Sequence, residues 1–311
     1  MSAQNLGSRA ILGRMYQRLT AGPMGWVDRL SFFVNSDQAS EEHRWLGMSP
    51  AMRVWVNGRQ VHGLHDSGIV IPNLSFEASI GVGLDEIRRD KTAQVMRRVD
   101  DLVGRYNQHG AKLLSELTIA GEAGLCYDGQ FYFDTDHAEG SSGTQSNDLT
   151  TAIVSATAPT AEEMRTVILT AIQAMLGFKD DQGEPINETA RDFLVMVPTP
   201  LWGAAVSAVT LPQLSQGASN ILKALEGEFN ISVLPNPRLT WTDKFAVFRA
   251  DQGDGAAPFI RQQETPLNVS SQAEGSPEEF YNKRHVYGID YNGNFGFGFW
   301  QHAVLTTLTT A

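Results

Sequence analysis

The residues of this 311-residue chain with the densest chemical potential lie in one stretch, GQFYFDTDHAEG, from Gly129 to Gly140. Asp134, Asp136 and His137 follow the aromatic run Phe131-Tyr132-Phe133, which reads as a strand ending in two carboxylates and an imidazole. Carboxylates at i and i+2 beyond a strand end could hold a divalent cation and pair a phosphoryl-accepting nucleophile with a general acid. The same spacing is common at solvated strand ends, so the surrounding sequence has to decide.

A strand followed by Asp-x-Asp resembles the haloacid-dehalogenase type of phosphatase, and that resemblance implies a magnesium-dependent enzyme using Asp134 and Asp136. The pattern departs from it at once: His137 and Ala138 stand where a Gly-Thr pair is expected, and no convincing downstream lysine or second acidic strand end follows. Asp180 and Asp181 come after a helical pattern, not a strand. Gly58, Gly63 and Gly68 sit in a β pattern and open no helix, so they are not a phosphate-binding loop. Ser141 and Ser142, between Gly140 and Gly143, miss the G-x-S-x-G elbow in spacing and context. His62 and His65 share a turn, but the seven histidines place no pair at i and i+4 on a helix face, and the single cysteine, Cys126, completes no zinc pattern. No catalytic residue, metal ligand or cofactor-binding residue is assigned. The phosphatase is the alternative reading.

At 42% hydrophobic the chain can bury a substantial core, as two domains or as one with extensions. No apolar run approaches the ~18 residues of a membrane span, and the N-terminus lacks the apolar core of a secretory signal. These features, with one cysteine, fit a soluble protein made in a reducing cytoplasm. The net charge of −11 is uneven: residues 1–110 carry 13 Lys and Arg against 11 Asp and Glu, and residues 111–311 carry 11 against 24. That balance excludes wrapping of nucleic acid by the whole protein. Arg9, Arg14 and Arg18, however, precede any acid, with Ile11, Leu12, Met15, Tyr16 and Leu19 at helical spacing opposite them. A short basic amphipathic helix is expected there, able to touch a phosphate or a partner helix.

Residues 1–50 otherwise read as an irregular arm. From Met52, MRVWVNGRQVHGL, a turn at HDSG and IVIPNLSFEASIGV read as a long two-stranded excursion, too thin to stand alone and therefore lying on another surface. From about Asp85 to Ala120, Val95, Val99, Leu102, Tyr106, Leu113 and Leu117 recur every three to four residues, predicting a helix ~45 Å long. Gly121 and Gly124 end it. Thr160 and Glu163 form a capping-box pattern before a helix whose C-terminal cap is expected at Gly177. Strand DFLVMV, helices Pro200–Thr210 and Gln213–Leu225, and strands ISVL and KFAVFR follow, and strands return over 280–306.

This order of elements, together with particular residues, resembles the major capsid proteins of tailed phages. The residues are His43-Arg44-Trp45-Leu46-Gly47, Arg53 and Trp55, Gly58-Arg59, Asn73, Phe76-Glu77, Asp128-Gly129 through Asp136-His137, Pro258 to Gln262, Tyr287-Gly288, and Gly296 to Gln301 with Ala303. The closer likeness is to the major head subunits of Mu-like phages and prophages. One departure is Asp85-Glu86-Ile87-Arg88-Arg89-Asp90, where relatives tend to have a paired acidic end to the helix lead-in. The resemblance implies an α+β protein of the Hong Kong 97-type capsid fold: N-terminal arm 1–50, E loop 51–84, spine helix and peripheral strands 85–160, axial domain 161–256, and a return to peripheral strands 257–311. It implies no enzyme but a virion protein, assembled in the bacterial cytoplasm as hexamers and pentamers of itself. Implied partners are a separate scaffolding protein, a portal protein, an optional decoration protein and packaged double-stranded DNA contacted non-specifically, with no membrane. Asp134, Asp136 and His137 are then structural. Arg53, Arg59, Glu77, Arg9, Arg14 and Arg18 are the inter-subunit contact candidates. No lysine precedes Lys91, so the E loop cannot supply one for an isopeptide weld, and the shell is expected to be non-covalent. About 50 residues precede Met52, their amphipathic stretch shorter than the ~12–15 residues of a marginal isolated helix. A fused scaffold is therefore not expected, and the arginines should remain in the mature subunit.

Overall fold

The computed structural model describes residues 3–21, 25–46, 66–88, 92–213, 219–251 and 257–311. Helix α4, Thr92–Ala120, is the 29-residue element that the apolar period predicts, preceded by a separate short helix α3 at Leu84–Arg88. It stops where predicted for a steric reason. A Cβ on Gly121 would lie 2.7 Å from the Phe133 ring, and one on Gly124 would lie 2.5 Å from Phe297.

The sequence reading of the first 50 residues as irregular is corrected. Helix α1 spans Ala3–Ala21, 19 residues and well beyond the short stretch expected; α2 spans Gly25–Leu30 and β1 spans Ser31–Asn35. The excursion also pairs differently among the described residues. Strand β3, Asp66–Pro72, runs antiparallel to β2, Ser40–Leu46, while β4, Leu74–Gly83, leaves the ribbon. MRVWVNGRQVHGL lies outside the described residues.

Strand β4 closes a four-stranded sheet ordered β1-β11-β12-β4, with β11 at Phe259–Gln272 and β12 at Arg284–Phe297, joined by α8, Pro277–Asn282. Alternation along β4 sends Ala78, Ile80 and Val82 to one face, where they meet Tyr287, Ile289, Val95, Val99 and Leu102. Ile11 and Met15 of α1 complete this small core. Helices α1 and α4 therefore cover one face of the sheet.

The second body is a five-stranded sheet ordered β7-β13-β10-β8-β9. Strands β8 (Asp192–Val197), β9 (Asn230–Pro235) and β10 (Lys244–Arg249) come from within 161–256, whereas β7 (Asp148–Ile153) and β13 (Ala303–Thr310) come from outside it. β8 and β10 are buried over nearly their whole length, which is why they read as continuous apolar runs. Helix α5, Ala161–Gly177, has the expected capping box at Thr160 and Glu163. Its C-terminal cap is Phe178 in extended conformation, not a left-handed Gly177. Asn187 Nδ2 donates to the Met175 carbonyl at 2.8 Å and satisfies the helix end instead. After α6, Trp202–Thr210, the helix predicted over Gln213–Leu225 is represented among the described residues by α7, Ile221–Ala224, and residues 214–218 of that prediction lie outside them. Gln213 bridges Ser219 in β fashion, and buried Asn220 caps α7 while donating to Ala208 and Leu211 carbonyls.

Candidate functional site

Phe131 to Asp136 form no strand, only the isolated bridge between Leu125 and Phe131. The amides of Tyr132 and Phe133 donate back to Gly124 and Gly121, each at 2.9 Å, so their hydrogen bonds close the turn after α4. Both rings are buried in succession, which a strand with one covered face would forbid. Tyr132 stacks on Phe297 at 4.6 Å.

Asp134 sits at the surface of this turn. Partial burial raises its pKa, but amide bonds from Thr135 at 2.7 Å and Phe131 at 3.1 Å outweigh that and hold the carboxyl below its ordinary range. Asp136 is exposed. The buried chemistry belongs to His137, on β5 (His137–Ala138), which pairs with β6 (Thr144–Gln145). Its Nδ1 lies 2.6 Å from Asp128 Oδ2, its Nε2 lies 3.2 Å from Asn147 Oδ1, and its ring stacks on Trp300 at 4.0 Å and 7°. Asn147 is fixed in turn: Nδ2 donates to the carbonyls of Tyr132 and Trp300, and Oδ1 accepts the Asp134 amide. A carboxylate, imidazole and amide in line look like an oriented base, but the imidazole is sealed from solvent with both nitrogens engaged. Burial also pushes the Cys126 thiol well above its usual range, so no thiolate stands nearby. Among the described residues no group of three His, Cys, Asp or Glu is placed to hold a metal ion. Asn147 escaped the sequence reading because it lies in a loop without periodicity, and Trp300, though part of the Gly296 to Gln301 motif, was not joined to His137 because the two are 163 positions apart.

Two other polar constellations bear on the parts that extend from the body. Gln262, buried in β11, donates through Nε2 to the Ile71 carbonyl at 2.8 Å and to Asn73 Oδ1 at 2.9 Å, and its Oε1 lies 3.0 Å from His43 Nε2. Asn73 Nδ2 donates to Ser36 Oγ and the Gln38 carbonyl. This hub fixes the base of the β2–β3 ribbon, while Val70 beside it is 60% exposed. At the other side, Arg14 forms a two-pronged bond to Asp100 of α4 at 2.8 Å on both prongs, and Arg18 reaches the same carboxylate at 3.2 Å. The Arg14 bond, then the Arg18 bond, hold the Asp100 pKa down to about 2. Thus Arg14 and Arg18 engage a partner within their own chain. Arg9 is exposed on α1, and Glu77 is exposed on β4, accepting from Ser79 Oγ at 2.9 Å. Arg53 and Arg59 lie outside the described residues, as do His62 and His65.

Long helix, ribbon, arm and two sheets make the fold of a phage capsid subunit of the Hong Kong 97 type. It is similar to the procapsid subunit of bacteriophage JBD30 (TM-score 0.56, 18% identity, 98% of this chain and 74% of that one) and to the mature capsid of bacteriophage PhiM1 (TM-score 0.58, 11% identity, 92% and 87%). A virus-like particle from Pyrococcus furiosus shares it too (TM-score 0.53, 9% identity, 94% and 96%). Residues 10–161 and 240–310 match the family described as Mu-like prophage major head subunit gpT, and the chain belongs to that family. Curated relatives are the major capsid protein of Escherichia phage Mu, 27% identical over 110 residues, and the Mu-like prophage FluMu major head subunit of Haemophilus influenzae, 28% identical over 107 residues. The matched segments cover 35% and 34% of this chain and 36% and 35% of those relatives. The family is one of structural head subunits, which removes the phosphatase reading of Asp134 and Asp136.

Proposed function

We propose that this chain is the major capsid protein of a Mu-like phage or prophage, a non-enzymatic subunit that self-assembles as hexamers and pentamers into an icosahedral head around double-stranded DNA. The observation that carries the reading is the family match over both the α1–α4 segment and the returning C-terminal strands, on a body with a ribbon held mainly at its base. Such a ribbon has little core of its own and gains burial on a neighbouring subunit. The four-stranded sheet with α4 serves as the peripheral domain, the five-stranded body as the axial domain, and β3 and β4 as the described part of the E loop over 51–84, with β3 paired to β2 of the arm. Arg53, Arg59 and Glu77 are the polar contacts to neighbours, with Arg9, Arg14 and Arg18 on the arm. A separate scaffolding protein, a portal protein and a decoration protein are the partners the resemblance implies, with assembly in the host cytoplasm. The expected shell is non-covalent. Boiled particles should run as one subunit band on a denaturing gel, and a ladder of higher multiples would contradict this.

A further inference from the structure

Helix α4 joins two separate apolar cores. Val95, Val99, Leu102 and Val103 pack with the four-stranded sheet, and Leu114 belongs to the larger core of the five-stranded body. Between those two contacts the helix does not fill the space over the sheet. Two cavities of about 150 Å³ each remain, parted by Tyr106 and Tyr291, which line both and meet edge to face at 5.5 Å.

The polar side chains of one cavity already have work within the chain. Arg261 bonds Asp28 at 2.7 Å, Gln262 holds the base of the ribbon, and Asn294 donates to the Pro72 carbonyl at 2.8 Å. The other cavity is walled by Phe76, Tyr106, His109 and Tyr291. Phe76 stacks on Tyr291 at 5.3 Å and stands edge-on to His109 at 4.5 Å. Leu267 and buried Ile289 add apolar surface, and the exposed Glu77 and Arg105 mark its open side.

One polar atom of these lining residues, His109 Nε2, is buried without a hydrogen-bond partner among the described residues. Burial, and after it the charge of Lys112, holds the His109 pKa below the ordinary histidine value, so the ring is neutral near pH 7. A neutral imidazole nitrogen either donates or accepts, and a hydroxyl answers it in both cases. An apolar cavity of ~150 Å³ is of the size that admits a benzene ring. Stacked and edge-on aromatic walls favour a flat ring over a saturated one.

We propose that this cavity is a binding site for a small phenol, its ring held by Phe76, Tyr106 and Tyr291 and its hydroxyl bonded to His109 Nε2. The site lies within one subunit, so it stands whether or not shells form. A ligand seated there touches α4, β4, β11 and β12 together and ties the seam between the two cores.

Fluorine NMR of 4-fluorophenol and of fluorobenzene, each titrated with the purified full chain, tests the site. 4-Fluorophenol should bind saturably with a Kd on the order of 1 mM, within reach of a ligand of that size. It should bind about fivefold more tightly than fluorobenzene, the share of one hydrogen bond. His109→Phe should bring that ratio to about one. Ala78→Ile, which enlarges a lining side chain with one that suits a strand, should abolish binding of both probes. In the native chain, and so independently of either variant's folding, phenol should slow hydrogen exchange around Phe76, His109 and Tyr291 before any other segment. Absence of saturable binding below about 10 mM, binding that survives Ala78→Ile at a native melting temperature, or protection confined to other segments overturns the site. A fivefold ratio kept in His109→Phe overturns the hydroxyl contact. Phenol that breaks a self-associated chain into monomers in sedimentation velocity would give the cavity to an aromatic side chain of a second copy and overturn the small-molecule assignment.

Discussion

His302 is buried with neither ring nitrogen partnered among the described residues, beside Phe299 at 5.4 Å. Burial, and after it the Arg249 guanidinium, pushes its pKa down to about 3. The unfolded chain then binds one more proton than the fold between the ordinary histidine value and that depressed one. Its contribution is therefore complete above about pH 6.5 and is lost as pH falls towards 3, at up to ~1.4 kcal/mol per pH unit. Urea titrations across that window should show a steeper acid loss in the native chain than in His302→Phe; equal slopes would contradict the assignment. The DTDH cluster makes a second residue-scale prediction. Asn147→Ala strands the Tyr132 and Trp300 carbonyls, the Asp134 amide and His137 in a closed site and should cost ~3 kcal/mol, whereas exposed Asp136→Ala should stay within ~0.5 kcal/mol. Phosphatase turnover that disappears in Asp134→Ala would defeat the structural reading. The sequence showed the right segment but not how its members meet: Asp134 and Asp136 have the suggestive spacing, while the buried work falls to His137 of the same cluster with Asp128, Trp300 and the unforeseen Asn147, whose meeting depends on tertiary packing.

At the scale of elements, α1 is held by a charge clamp over a small apolar contact. Asp100, with its pKa lowered to about 2 chiefly by Arg14, stabilises α1 docking above its unfolded value near 4 and ceases to do so as pH falls through about 2. Hydrogen exchange of the α1 amides should accelerate in Asp100→Asn at neutral pH and in the native chain only at strongly acid pH. Unchanged α1 protection in the variant would show that Ile11 and Met15 alone hold the helix. Gln262→Leu makes the matching prediction for the ribbon. It removes the donor to Ile71 and Asn73 and should cost ~2–3 kcal/mol while raising exchange in β2 and β3 before the five-stranded sheet. α4, α5, β8 and β10 were legible because local periods of 3.6 residues or continuous apolar runs specify them. β1 was not, since five residues in parallel register with β11 are chosen by a partner 228 positions away. The Phe131 run misled for a related reason: its amides had nearer acceptors at Gly121 and Gly124 than any strand offered.

At the scale of the whole molecule, the two sheets are tied by specific charges as well as apolar packing: Arg29 of α2 meets Asp192 of β8 at 2.9 Å, and Arg261 of β11 meets Asp28 at 2.7 Å. Through α2 these ties join the four-stranded sheet to the five-stranded body, a fixed relation that subunits repeated around closed symmetry require. Sequence alone carried the class of protein further than it carried any contact, because the order of arm, ribbon, long helix and α/β body survives where individual pairings are set at long range. The measurement that tests the central claim most directly is sedimentation velocity of the purified full chain, co-expressed with its scaffolding protein and imaged in parallel by electron microscopy. The account predicts megadalton, closed, uniform shells. A chain that remains a monomer or small oligomer under those conditions, with no shells on the grid, would contradict it.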